Sequence, residues 1–254
     1  MHMDELNLLT EEILHNVPHI QQKYDWDCGI ACVSMAVSNR ISPSNLEETI
    51  RKLQTEPNEG FGQRPWTIDL CHILSSLNVP HEYFTTSIDV NPNLKRLPYY
   101  TNSLKKDGSR VSNLLSNSRL QESIHKESLN NHRFVYHLKN GPMIVLVDGN
   151  KLKCMRCQIK SNWAIKSCWN GNATGKFVGH YIVVVGYSPK SNQIYFRDPS
   201  LTDQICAISF QAFNEARLAM GTDEDIILIH SQTTEIPNAS GENERKKPEG
   251  PIPN

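Results

Sequence analysis

Four residues far apart in the chain carry side chains that together suit acyl transfer through a thiolate. Cys28 lies in the stretch Pro18 to Val37, PHIQQKYDWDCGIACVSMAV. That stretch reads as an extended segment, a tight turn and a helix beginning at Cys28. A thiol there sits where unpaired backbone N–H groups and the helix dipole favour the thiolate. Gly29 lets the backbone come close to a bound group. A thiol nucleophile needs a base. Of the ten histidines, His180 is best placed, because it follows Gly179 and opens the apolar run YIVVVGY. Asp198 closes the next strand, within reach of His180 across a hairpin, and an acid there holds an imidazole in the right tautomer. Gln22, with the backbone N–H of Cys28, could form an oxyanion hole. Gln21 is the alternative, since strand alternation turns only one of the two inward.

Each of these residues also has a bland reading. Most intracellular cysteines are small buried residues in helices, a description that suits Cys32, one turn on, better than Cys28. His180 alone is a strand-end histidine, and Asp198-Pro199 alone is a common turn. The four residue types in this order are what point to thiol chemistry. Cys154, Cys157 and Cys168 form a second group, candidate zinc ligands by their spacing, with a reduced polar loop as an equally good account. Gly171 to Lys176, GNATGK, is one residue short of a phosphate-binding loop, and Phe177 stands where Ser or Thr is required. The run Asp223-Glu224-Asp225 could hold a metal but reads more simply as a solvated turn.

The elements that must position these residues follow from periodicity and punctuation. Residues 4–15 read as a short amphipathic helix with Leu6, Leu9 and Ile13 on its apolar side. The helix from Cys28 to Ser38 turns Ala31, Cys32, Met35 and Ala36 inward. Ser42-Pro43-Ser44 starts a helix through Leu53, and Thr67 caps another over 68–77. Val79 to Thr85 reads as a strand. Residues 86–109 are polar and rich in Pro and Asn, so they read as a long loop or insertion. Helices are expected over 111–122, 129–138 and 210–220, the last with Phe213, Ala216 and Met220 facing the core. Strands are expected over 143–147, 181–187, 193–197 and 225–230. Helices first and strands second give an α+β class: N-terminal helices packed on one mainly antiparallel sheet. The organisation is an extension over 1–16, one domain over 17–230 with a cysteine-containing loop at 150–177, and a disordered tail over 231–254.

The whole chain narrows the partners. A formal charge of −1 over 254 residues gives no electrostatic reason to expect nucleic acid or an anionic membrane. The apolar runs are too short to span a bilayer, and the acidic N-terminus has no signal-peptide core. Seven cysteines without a signal favour reduced thiols. The chain is therefore expected in the cytoplasm, or also the nucleus, and not outside the cell.

Four blocks carry a family resemblance: IQQKYDWDCGIACVSM, RPWTIDLCHIL, GHYIVVVGY with RDPS, and GTDEDIILI. In this order they resemble the guanylyl cyclase family of plants and vertebrates, over roughly residues 17 to 230. The first and third blocks also resemble the bacteriocin-processing peptidase domains of bacterial exporters, which have a papain-like fold. Their motif is Gln, five residues, Cys, and later His and Asp. That resemblance implies oxyanion, nucleophile, base and orienting roles for Gln22, Cys28, His180 and Asp198, and its spacing picks Gln22 over Gln21. The peptidase likeness implies a thiol hydrolase acting on a peptide or protein without a cofactor. The cyclase likeness implies conversion of GTP to cyclic GMP and pyrophosphate with magnesium or manganese. A third reading keeps the fold as a non-enzymatic regulatory binding module.

Overall fold

The strongest apolar runs of the chain form the middle of its sheet. In the computed structural model, which describes residues 10–57, 60–155, 176–202 and 204–231, these runs are β4 (Met143–Asp148), β5 (Gly179–Ser188) and β8 (Ile226–Ile229). Successive side chains of a strand point to opposite faces, and here both faces are buried. Ile144, Leu146, Val183, Val185, Ile227 and Ile229 enter one core. Met143, Val145, Val147, Ile182, Val184 and Leu228 enter the other. A strand covered on both sides has no polar face to show, hence the unbroken apolar runs. Around this centre lie β1 (Ile13–Leu14), β2 (His81–Thr85), β3 (Ile124–Lys126), β6 (Gln193–Arg197) and β7 (Cys206–Ser209). The order is β3-β2-β8-β4-β5-β6-β7, with β1 beside β5. The pairs are antiparallel except β2 with β3. The expected α+β class, helices on a mainly antiparallel sheet, is the one found.

Helices cover both faces. On the first lie α1 (Cys28–Val37), α2 (Pro43–Thr55) and α3 (Thr67–Ser76), with Met35, Leu46 and Leu70 among their core residues. Ser42 caps α2 by accepting from the N–H of Asn45, and Pro43 occupies the first helical position. On the second lie α6 (Asn131–Leu138) and α7 (Phe210–Arg217), through Phe134 and Phe213.

Several expectations need correction. Residues 1–9 lie outside the described residues, but Ile13 and Leu14 are the strand β1 and not the end of a helix. β5 runs past the end of β4, and its open edge at Gly186 and Tyr187 takes β1 as a partner. The polar stretch 86–109 is not a continuous loop. It holds the 3-10 turns Pro92–Arg96 and Pro98–Tyr100 and the start of α4 (Thr101–Leu115). Burial of Leu94, Tyr100, Val111 and Leu115 orders a segment whose composition alone would not. The helix expected over 111–122 is accordingly divided between α4 and the short α5 (Ser118–Gln121). α7 stops at Arg217, which leaves Met220 54% exposed and not in the core. Most of the cysteine loop, including Cys157, Cys168 and Gly171 to Gly175, and the tail from 232 on lie outside the described residues.

The β1–β5 contact depends on Gly186, where a Cβ would stand 2.3 Å from the carbonyl oxygen of Ile13. Gly186→Ala therefore forces β1 off its partner. A loss of about 1–3 kcal/mol is expected in urea denaturation, and an unchanged midpoint would mean that β1 adds nothing to stability.

Candidate active site

α1 begins at Cys28 without a side-chain cap. The preceding residue, Asp27, turns its carboxylate backward, accepting from the N–H of Lys23 at 3.1 Å and of Tyr24 at 3.0 Å. The first-turn N–H groups of α1 thus keep no side-chain acceptor, and the helix presents its positive end at Cys28. Cys28 is partly exposed and a free thiol. α1 lies almost against β5: a Cβ on Gly29 would meet Tyr181 Cδ2 at 3.0 Å and Leu70 Cδ1 at 3.1 Å. This approach brings Cys28 beside His180, near enough for the thiol to help raise the imidazole's pKa after Asp198.

His180 and Asp198 are both buried. The Nε2 atom of His180 lies 2.9 Å from Asp198 Oδ1, which leaves Nδ1 for the Cys28 thiol. Burial alone would lower the pKa of His180, but the Asp198 charge and hydrogen bond, with those of Cys28, carry it well above its ordinary value. Burial would likewise raise the Asp198 carboxyl. The His180 charge and hydrogen bond, and two hydrogen bonds from Ser200, overcome that and hold it below its usual range. The pair is thus poised as an imidazolium and a carboxylate. Cys32 provides the contrast one turn along α1: burial, then the charges of Cys28 and Asp198, push its thiol far up, and it is inert packing.

The extended segment before α1 is fastened to the turn that carries Asp198. Arg197 Nε donates to the carbonyl of Val17 at 3.1 Å, and His19 Nε2 lies 3.0 Å from the carbonyl of Asp198. The N–H of Gln22 donates to the carbonyl of Pro199 at 2.8 Å. The Gln22 side chain donates through Nε2 to the Tyr24 carbonyl at 2.6 Å, and its Oε1 is buried without a hydrogen-bond partner. One Nε2 hydrogen is thus engaged and one remains. Tyr24 and Trp26 stack beside this turn, with ring centroids 5.1 Å apart.

Sequence reasoning missed Ser200. Its N–H and hydroxyl both donate to Asp198 Oδ1, at 2.9 and 2.7 Å, the same oxygen that takes His180. The signal was present, because an Asp two residues before a Ser in a Pro turn invites an Asx-type turn. Tyr99, whose hydroxyl donates to the Gly179 carbonyl at 3.1 Å, had no such signal. The acidic run needs correcting too. Asp225 is buried, not solvated, and accepts from the hydroxyls of Tyr83, at 2.9 Å, and Thr67. Thr67 is drawn to this acid and is the first residue of α3, while Trp66 holds the cap position and donates its N–H to Asp69 at 2.8 Å. Among the described residues, no three His, Cys, Asp or Glu side chains are grouped to hold a metal. Cys154, the described member of the zinc candidates, packs partly buried against the second core. No described helix is long and apolar enough to cross a membrane.

Comparison with known proteins adds three likenesses. A solved structure described as a C39-like peptidase from Bacillus anthracis aligns over 88% of this chain and 99% of its own, at 15% identity and a TM-score of 0.45. Guanylyl cyclase 1 of Arabidopsis thaliana is 30% identical over 223 residues, covering 85% of this chain and 76% of that protein. The family model described as guanylylate cyclase matches residues 17–229. That span begins at the residue bound by Arg197 and ends with the last residue of β8, and the chain belongs to the guanylylate cyclase family.

Proposed function

We propose that this chain is a papain-like thiol hydrolase that acts by acyl transfer on a peptide or protein. The observation that carries the reading is the buried His180, 2.9 Å from Asp198 through Nε2 and beside the free Cys28 thiol at the start of α1. In this reading Nδ1 of His180 takes the Cys28 proton, and Asp198 steadies the imidazolium through Nε2–H. The thiolate attacks a carbonyl carbon and forms a C–S bond. The N–H of Cys28 and the remaining Nε2 hydrogen of Gln22 receive the oxyanion. His180 then protonates the leaving amine or alcohol as its bond to the acyl carbon breaks. Water, deprotonated by His180, cleaves the thioester and restores the thiol. The reaction uses no cofactor. Its nucleophile must stay reduced, which fits the cytoplasm or nucleus, and Cys28, Cys32 and Cys71 are all free thiols.

The family match supports a second reading, a cyclase that forms cyclic GMP from GTP. Such chemistry usually rests on two carboxylates holding magnesium or manganese. Asp223 and Asp225 line a cleft, but among the described residues they belong to no group of three side chains able to hold a metal. Asp223 Oδ1 accepts from the Asn91 amide at 2.6 Å, and both Asp225 oxygens accept hydroxyls.

Two measurements test the first reading. Alkylation of Cys28 by iodoacetamide at neutral pH, read by mass spectrometry, should slow by roughly tenfold or more in His180→Ala, because an unassisted thiol is only a few per cent thiolate there. Cys28→Ala should lose all hydrolysis of a peptide library yet melt normally. Equal alkylation rates in the two proteins would sink the hydrolase.

The second measurement is stability against pH. The raised His180 contributes stability that is complete below its ordinary value of 6.5 and is lost as pH rises through its folded value. The lowered Asp198 contributes above its ordinary 3.8 and loses that as pH falls through its folded value. The stability gap between wild type and Asp198→Asn should therefore be widest between those two ordinary values and narrow on both sides. A gap independent of pH would show that Asp198 serves packing alone.

A further inference from the structure

Beside the Cys28–His180 pair lies a small cleft of about 50 Å³ that opens to solvent. Two of its walls adjoin the pair. Tyr99 reaches the carbonyl of Gly179, the residue before His180, and lies near enough to Cys28 for a thiolate there to help raise the tyrosine hydroxyl's pKa, after burial. Tyr181 is the ring against which Gly29 rests. Trp66 and Tyr100, with ring centroids 5.4 Å apart, complete an aromatic lining. Asp223 and Asp225 also line it.

The chain's buried acids are not all treated alike. Asp69 is bound by both terminal nitrogens of Arg110, and Asp198 by His180. Among the described residues no ion pair involves Asp223 or Asp225. Asp225 has only hydroxyl donors: Thr67 on one oxygen and Tyr83 on the other, with Thr85 also helping to hold its pKa down, whereas an ionised carboxylate accepts about four. Burial, and then the charge of Asp223, push its carboxyl up to about 7. A buried acid without a counter-charge is costly as an anion, and this one faces a cleft walled by aromatic rings, which attract cations. Arg64 lines the same cleft but is exposed. Its charge acts on Tyr99 and is not among the groups shifting either carboxyl.

We propose that this cleft binds a primary amine or guanidinium group, its cation held by Asp225 and Asp223 and its alkyl part lying against Trp66, Tyr99, Tyr100 and Tyr181. Resting on the hydrolase reading for its role, the cleft then selects a Lys- or Arg-like side chain close to the carbonyl that Cys28 attacks. The other titratable groups around Asp225 are Cys71 of α3, Tyr83 of β2, Tyr181 of β5 and Tyr100. Burial drives all four far up. Near neutral pH the charge of the cleft therefore changes at Asp225.

The test needs no turnover. Full-length Cys28→Ala is titrated with n-pentylamine, with valerate and 1-pentanol as anionic and neutral controls. Binding is read from the NMR shift of the Trp66 indole N–H, assigned with Trp66→Phe. The amine alone should bind. Its affinity should rise roughly tenfold from about pH 6 to about pH 8, the ratio of ionised acid for a group titrating near 7. Asp225→Asn should abolish binding and Asp223→Asn should weaken it. If Asp225→Asn does not fold, the pH dependence and Asp223→Asn still decide the matter. Preference for valerate, affinity for the amine independent of pH, or no amine binding would overturn the proposal. A reactive Cys28 with no amine binding removes the cleft's role and leaves the hydrolase. Amine binding beside an inert Cys28 removes the hydrolase and leaves the cleft.

Discussion

The near-contact between α1 and β5 is the constraint on which the site depends. A thiol at the start of a helix meets an imidazole on a strand only when the helix lies almost against the sheet. Gly29 makes that possible, with Tyr181 and Leu70 standing where even a methyl group would crowd them. Ala31 and Cys32 keep the buried side of the first turn of α1 low as well, while Val33, Met35 and Val37 fill the core further along. Interiors are packed as tightly as organic crystals, so a larger residue at Gly29 has no void to enter. It would lift the Cys28 end of the helix and lengthen the contact with His180. The position of the nucleophile is thus a packing result before it is a chemical one.

Three of the buried carboxyls are handled in three different ways. Asp69 is neutralised by a fixed arginine, which ties α3 to α4. Asp198 has a histidine whose charge is conditional, and Ser200 adds two donors to the same oxygen. Asp225 has hydroxyls and nothing permanent. The first arrangement is structural, because an Arg–carboxylate pair does not change charge near neutral pH. The second can pass a proton, because the histidine can lose its charge while the acid stays ionised. The third leaves a carboxyl whose ionisation a ligand can decide. The same amino acid is held with a fixed charge, a conditional charge or hydroxyls alone, according to the donor that faces it.

Much of this was legible in the sequence where one physical signal dominated. Continuous apolar runs gave the central strands, and helical spacing of small apolar residues gave α1. Ser42-Pro43 gave the start of α2. Cys28, His180 and Asp198 could be singled out because each is a polar or reactive group at the end of an apolar element. The failures occurred where tertiary contacts outweighed local composition. α4 is polar by sequence and is ordered by the burial of Val111 and Leu115 and by Arg110 reaching Asp69. β1 forms because β5 has an unfilled edge, a fact about another part of the chain. Asp225 looked solvated because its neighbours in sequence are acidic, while its neighbours in space are Tyr83 and Thr67. Local reading cannot see a partner well over a hundred residues away.

The anchoring of residues 17–22 explains how a site assembled from distant residues keeps its geometry. Three contacts join this segment to residues 197–199: Arg197 to the Val17 carbonyl, His19 to the Asp198 carbonyl, and the Gln22 N–H to the Pro199 carbonyl. The segment leading to Cys28 is therefore fixed directly to the turn that carries Asp198. Gln22 and Asp198 sit at opposite sides of the same small set of hydrogen bonds. A shift of the turn would move Asp198 and Gln22 together. The family match begins at Val17, the first residue of this clasp, and the chemistry starts six residues after Gln22. What holds Cys28, His180 and Asp198 in place is consequently shorter than the domain: the clasp, Gly29 behind Cys28, and the two strands that carry His180 and lead to Asp198.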